Sequence, residues 1–370
     1  MLRKLARRTY SLNVHRTFCG AAQSLHPLKR VLISAKKASN DYYAFLSELQ
    51  INRHKNPSLR AKGIFPPFYL VLQKIFATFA ANLRSMTIAI FGNAMKSNTL
   101  DEVTHILEFM QLRGVAVVLS QELRQELNLR EYPMFKNAKE PIDFALSIGG
   151  DGTFLTSAAA LGDSNIPILG INCGRLGFLA DVQTKNVDVI MDQLIKGQYT
   201  IEQRTLLHVE PSRSELIMAP NALNEIAVMK YGLSSMISIE ARINGELLHR
   251  YEADGLLLAT PTGSTAYNLS IGGPLMVPQA RGVIISPIAT HSLNVRPLVI
   301  PDDWIIDLRV KSRTGSYLIS VDGRSQVMSQ DITLQIRKAN YTVKLVQVGD
   351  NSFIQSLKDK LSWGQGGKLD

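Results

Sequence analysis

From residue 86 to about 196 the chain alternates short apolar runs with stretches of helical spacing, and beyond about residue 200 that alternation stops. Few architectures tolerate such a change of period within one chain. Segments 87–91, 115–119, 144–148 and 166–171 read as strands, while 100–111, with Val103, Ile106, Leu107 and Met110 on one face, and 186–196 read as helices. Strands separated by helices pair in parallel through right-handed crossovers and collect ligands at their carboxyl ends. Downstream, segments 206–210, 225–230, 237–243, 255–259, 282–286, 304–310, 317–321 and 341–346 are short and β-rich, with Asn244-Gly245 as a two-residue hairpin signal. The expected fold is therefore an α/β N-terminal domain with a parallel, Rossmann-like sheet over 86–200 and a C-terminal all-β domain over 201–350. A tail, 351–370, is partly helical across 353–361.

Charge separates the first 85 residues from this body. They hold 15 Lys and Arg against two acids, Asp41 and Glu48; of 41 basic and 31 acidic residues in all, the remainder keeps 26 against 29. The basic excess belongs to the leader, so the body lacks the electrostatic footprint of a nucleic-acid-binding protein. The leader has no acid in its first 40 residues, as in a mitochondrial transit peptide. Met86, immediately before the first strand, favours instead a stretch translated upstream of the true start. Cytoplasmic residence follows from that reading, and the mitochondrial matrix from the other. Segment 64–80 is apolar but is interrupted by Pro66, Pro67, Gln73 and Lys74 and falls short of the ~20 residues a membrane span needs. With only Cys19 and Cys173, neither a disulfide framework nor a cysteine-rich metal site is available.

Four motifs carry chemistry. Gly149-Gly150-Asp151-Gly152-Thr153 ends an apolar strand and precedes a run of small residues; three glycines around one carboxylate let a phosphate approach the backbone N–H groups of a helix start. Asp151 as a plain helix cap is the alternative. The stretch 170–178, with Gly174, Gly177 and Phe178, is a second glycine-rich turn after a strand. Asn224-Glu225, preceded by Asn221, opens an apolar strand and would suit an adenine edge or ribose hydroxyls, or is merely a solvated strand end. Asp254-Gly255 is followed by Pro261-Thr262-Gly263-Ser264-Thr265-Ala266-Tyr267, whose hydroxyls and ring suit a sugar, a phosphate or a base, or equally an ordinary turn. The seven histidines fit no zinc spacing, and His291 reads as a hydrogen-bonded structural histidine. There is no Walker A loop, no GxGxxG fingerprint and no Gly-x-Ser-x-Gly elbow.

Taken in order, GGDGT, GRLGF, the Asn-Glu pair and DG followed by PTGSTAY, the body resembles the NAD kinase family in its bacterial form. GGDGT alone occurs in lipid and sugar kinases too, so the later motifs narrow the family. The resemblance implies ATP-dependent phosphorylation of the adenosine-ribose 2′-hydroxyl of NAD to give NADP, with a divalent cation such as Mg²⁺, in a homo-oligomer (dimer or tetramer). It makes Asp151 the proton acceptor and Gly152 its neighbour on the phosphate path. It also makes Asn224 and Glu225 contacts to NAD, Asp254 a contact to a ribose or the nicotinamide, and Phe178 an apolar wall. Thr265, Ala266, Tyr267, Asn268, Leu269 and Ser270 then border the adenine, with Tyr267 stacking on it. Two positions depart from the pattern: Glu252 stands where relatives carry Arg, and Arg324 where they carry an amide; the two could compensate one another. A non-catalytic NAD-binding sensor is the alternative from another class.

Overall fold

The computed structural model describes residues 86–362, apart from 94–98, 138, 175, 176, 181, 214–218, 233–235, 350 and 351. The leader, with both accounts of it, lies outside the described residues.

Four parallel strands build the first half: β1 (Thr87–Gly92), β2 (Ala116–Leu119), β3 (Phe144–Gly149) and β4 (Ile168–Asn172), in the order β4-β3-β1-β2. Their side chains alternate between two apolar layers. Ile88 and Ile90 meet helix α1 (Thr99–Leu112) on one face, whereas Ala89 and Phe91 belong with helix α3 (Asp151–Leu161) on the other. A strand apolar on both faces reads as a continuous run, which is why these were recognisable. The short α2 (Gln121–Glu126) escapes a periodicity scan; Ser120 caps it by accepting from the Leu123 N–H at 3.3 Å. After β5 (Val182–Gln183), helix α4 (Val187–Ile195) buries Val187, Met191 and Leu194 against the α1 side.

Past residue 200 the chain forms β6 (Thr200–Pro211), β7 (Asn221–Ala222), β8 (Glu225–Lys230), β9 (Ile237–Ile243), β10 (Glu246–Ala253) and β11 (Gly255–Ala259). A single-turn helix, α5 (Tyr267–Ser270), precedes β12 (Val283–Ile288), β13 (Leu298–Ile300), β14 (Ile306–Lys311), β15 (Ser316–Val321), β16 (Arg324–Ser329) and β17 (Leu334–Gln347), and α6 (Phe353–Leu361) closes the series. Strands β13-β12-β11-β8-β15-β16 form a six-stranded antiparallel sheet. The others do not form a separate sheet. Strand β17 pairs in parallel with β4 at Leu345↔Ile168 and antiparallel with β14 and β6, so one eleven-stranded sheet crosses position 200. Its antiparallel part packs against the six-stranded sheet through Ile237, Ile239, Leu308, Ile336, Val228, Leu256 and Tyr317, all at most 1% exposed.

Asn244 (φ 50°) and Gly245 (φ 85°) turn β9 into β10 with the paired positive φ of a type I′ hairpin. Asp322 (φ 47°) and Gly323 (φ 80°) do the same between β15 and β16.

Candidate active site

Because β3 and β4 pair with Gly149 opposite Asn172, the turns that follow them emerge side by side at the carboxyl edge of the sheet. One turn carries Asp151 as the first residue of α3; the other carries residues 173–180. Asp151 does not cap its own helix, whose N-cap is Gly150 with no side-chain bond. Its carboxylate reaches across instead. Oδ2 accepts the Phe178 N–H at 2.8 Å, and Oδ1 accepts those of Leu179 and Ala180, each at 3.0 Å. Three of about four lone-pair directions are thereby filled, leaving one open on Oδ2.

The glycines explain how this fits. A Cβ on Gly177 would lie 1.9 Å from Asp151 Oδ1, and one on Gly149 would lie 2.3 Å from Thr153 Oγ1. A Cβ on Gly152 would meet nothing within 4 Å, and Gly152 is exposed. So the fold itself requires Gly149 and Gly177, while the space over Gly152 stays open. Arg175 and Leu176 of the second turn lie outside the described residues.

A second carboxylate, missed from sequence as a site residue, repeats the pattern. Asp322, with its side chain 3% exposed, accepts the N–H groups of Leu223, Asn224 and Glu225 at 2.7, 2.8 and 3.0 Å. Burial pushes its carboxyl upward, against the pull of those three N–H groups and of Arg324. Glu225 is pushed up to about 7, first by burial and then by the charge of Asp322; its Oε2 is buried without a hydrogen-bond partner. The signal that could have found Asp322 was the Asp-Gly hairpin dipeptide.

The Asn224 segment in turn docks on the turn after β11. Thr260 donates its N–H to Asn224 O at 2.9 Å and its hydroxyl to Leu223 O at 2.6 Å. A Cβ on Gly263 would stand 2.1 Å from Asn224 O, so the two motifs touch backbone to backbone. Residues Thr262–Thr265 form a 3₁₀ turn that runs into α5. Its hydroxyls serve the turn: Ser264 Oγ bonds Met276 N and O at 3.0 and 3.2 Å, and Thr265 bonds Thr262 O at 3.2 Å. Asn268 is fully buried, donating to Ser264 O and Pro274 O and accepting from Ser286 Oγ, which makes it the pin of the turn. Thr265, Ala266 and Leu269 are half-buried, and Tyr267 and Ser270 are exposed at its surface. Arg204, paired with Glu202 at 2.7 Å in a largely buried site, reaches Thr262 Oγ1 at 3.4 Å.

Between α3 and this assembly lies a cavity of about 220 Å³, lined by Leu155, Ala158, Leu206, Asn221, Leu223, Asp322 and Tyr341 among others. Leu155 stands one helical turn beyond Asp151. The cavity thus lies between the later turns of α3 and the segment that leads into Asn224, and its lining includes neither Asp151 nor Asn224 nor Glu225.

Other sequence expectations fare differently. Asp254 does not join this group: β8 and β11 pair with Glu225 opposite Ala259, which puts Asp254 at the far end, roughly 17 Å away at ~3.4 Å per residue. There it forms an ion pair with Lys230 at 2.8 Å. Glu252 and Arg324 do not compensate one another. Arg324 is directed to Asp322 Oδ2 at 3.9 Å and Asn221 O at 3.3 Å, whereas Glu252 lies on edge strand β10 with its carbonyl holding the His291 N–H. His291, read as a hydrogen-bonded structural histidine, is exposed, and its main-chain N–H donates to Glu252 O at 2.9 Å. Phe178 is half-buried, its ring 6.3 Å from that of Phe353 and beneath Lys360 Nζ at 3.9 Å.

Models of two domains match this chain, the ATP-NAD kinase N-terminal domain over residues 88–199 and the ATP-NAD kinase C-terminal domain over 223–348. The chain belongs to the ATP-NAD kinase family. Relatives named NAD kinase from Bacteroides fragilis and Flavobacterium johnsoniae are 42% and 39% identical over 285 and 290 residues. They cover 75% and 76% of this chain and 98% and 99% of their own lengths. Crystal structures agree on the fold: yeast NADH kinase complexed with NADH has a TM-score of 0.70 at 23% identity, over 78% of this chain and 91% of that one. An NAD kinase from Archaeoglobus fulgidus in complex with ATP has a TM-score of 0.56 at 26% identity, over 70% and 93%. The family resemblance carried by GGDGT, the Asn-Glu pair and PTGSTAY is thus membership, and a lipid or sugar kinase sharing GGDGT alone would not match both domains.

Proposed function

We infer that this chain is an NAD kinase, transferring the γ-phosphoryl group of ATP to the 2′-hydroxyl of the adenosine ribose of NAD and releasing ADP and NADP. The observation that carries this is the match to both kinase domains in relatives aligned over 98% of their own length. The 2′-oxygen attacks the γ-phosphorus, the bond to the bridging oxygen of the β-phosphate breaks, and the hydroxyl proton passes to Asp151. Phosphoryl transfer has a loose transition state, so positioning and charge neutralisation dominate and the base need be only modest. The geometry around Asp151 supports the assignment. Three N–H groups hold its carboxylate in one orientation, the unfilled lone pair belongs to Oδ2, and Gly152 leaves the approach clear. The first N–H groups of α3 lack helical partners and face an incoming phosphate.

Asn224, Glu225 and Phe178 form the NAD-facing wall in this proposal, with Thr265, Ala266, Tyr267, Leu269 and Ser270 beside the adenine and Asn268 holding that turn in place. Asp254, remote from this group within one chain, would serve NAD only where another part of the assembly brings it near; we propose a homo-oligomer, dimer or tetramer. The division into domains near residue 200 and cytoplasmic residence belong to the same proposal. Among the described residues no helix is long and apolar enough to cross a membrane.

Among the described residues no group of three or more His, Cys, Asp or Glu is placed to hold a metal ion. In this proposal magnesium enters with ATP, held by its phosphate oxygens, water and one or two carboxylates, as is usual for that ion.

The test mixes ATP, Mg²⁺ and NAD with the purified chain and follows product with an NADP-specific dehydrogenase. NADP must accumulate in proportion to enzyme. Calorimetric binding of NAD with no NADP formed would replace the kinase with a sensor.

A further inference from the structure

We propose that the C-terminal helix α6 positions the proton acceptor Asp151, acting through Phe178. The inference rests on Asp151 as that acceptor and adds a structural element outside the motif region. Phe178 is held from two sides. Its main-chain N–H donates to Asp151 Oδ2 at 2.8 Å, the first of the three N–H groups that orient the carboxylate. Its ring lies against α6: the Phe353 ring centroid is 6.3 Å away at 46°, and Lys360 Nζ stands 3.9 Å from the ring centroid. Phe353 and Lys360 are seven residues apart, two helical turns, and so share one face of α6.

The helix has its own anchors. Ser352 caps it by accepting the Gln355 N–H at 3.1 Å, and Leu357, between the two Phe178 contacts, is buried to 8% exposure. A grip made of an aromatic pair and a cation over a ring is directional as well as apolar. On the far side there is no slack, because Gly177 already approaches Asp151 as closely as a residue without a Cβ allows. Loosening the ring therefore lets the 178–180 N–H groups drift and the carboxylate turn. A reacting group displaced by about 1 Å costs on the order of 10²-fold in rate.

The experiment measures kcat and KM for NAD and ATP on the full chain in Phe353→Ala, Lys360→Met, Lys360→Arg, Phe178→Ala and Asp151→Asn, and in the pairs that combine Phe353→Ala with each of the last two. Phe353→Ala should lower kcat about tenfold and Lys360→Met about threefold, with KM for NAD within twofold, while Lys360→Arg retains the wild-type kcat. Because the effect travels through Phe178 to Asp151, Phe353→Ala should add nothing in either the Phe178→Ala or the Asp151→Asn background. A full additional loss in those backgrounds overturns the proposal, as does an unchanged kcat in Phe353→Ala. If Phe353→Ala does not fold, Lys360→Met against Lys360→Arg decides by the same criterion. Near-normal turnover in Asp151→Asn removes both the acceptor and this proposal, whereas an inactive Asp151→Asn beside a fully active Phe353→Ala removes this proposal alone.

Discussion

Asp151 and Asp322 use their carboxylates alike and differ in what surrounds them. Each accepts three consecutive main-chain N–H groups, from 178–180 and from 223–225, at 2.7 to 3.0 Å. Asp322 is sealed at a hairpin, its side chain 3% exposed, and its neighbour Glu225 is forced toward the protonated state. Asp151 stands half-exposed at a helix start beside an open glycine. The same bonding pattern thus serves as a rivet in one place and, in the proposed mechanism, as a mount for the proton acceptor in the other, and access from outside separates the two.

The largest effect tests that separation directly. Asp151→Asn should lower kcat by about 10²- to 10⁴-fold with thermal unfolding little changed; turnover within a few-fold of wild type would put both carboxylates in the rivet class. Asp322→Ala should do the reverse, leaving three buried N–H groups without an acceptor and costing on the order of 3 kcal/mol in denaturant titration. A loss below about 1 kcal/mol would mean that water entering the adjoining cavity replaces the carboxylate. Gly177→Ala probes how tight the open-sided mount is: its Cβ would meet Asp151 Oδ1 at 1.9 Å. Its kcat should fall by at least about tenfold, by the sensitivity of a positioned group to sub-ångström shifts, and an unaffected kcat would show that the second turn moves freely.

The smallest effect concerns pH. Folded Glu225 keeps its proton up to about 7, whereas its ordinary value is 4.5. Between those values the folded chain binds more protons than the unfolded one, so stability falls as pH rises through that window and does not return above it. Glu225→Gln should remove this loss and raise stability at pH 8 by about 1 to 3 kcal/mol, with little change at pH 4. Equal shifts at both pH values would show that the buried charge is not the cause.

Much of this was open to reading from residues. The parallel strands stood out because both faces are apolar, and β8, β9, β11 and α6 begin and end where their patterns do. Strand β16, Arg-Ser-Gln-Val-Met-Ser, has too few apolar residues to show, and half of β17 was lost where Arg337 and Lys338 interrupt its alternation. At the site, GGDGT announced itself, but the partners of Asp151 lie 27 to 29 residues on, and those of Asp322 lie 97 to 99 residues back. Spacing along a chain carries no record of such pairings. Composition left the hydroxyls of Ser264 and Thr265 open between a ligand contact and turn chemistry; their bonds within the turn show the second, which spacing along the chain could not decide.

Strand β17 joins β4 on one side and β14 on the other, so the seam of the eleven-stranded sheet is its last strand in chain order. During synthesis from the N-terminus, the two flanks must wait as separate pieces, each with an unpaired edge, until residues 334–347 leave the ribosome. A chain ending before residue 334 would lack the strand that joins them.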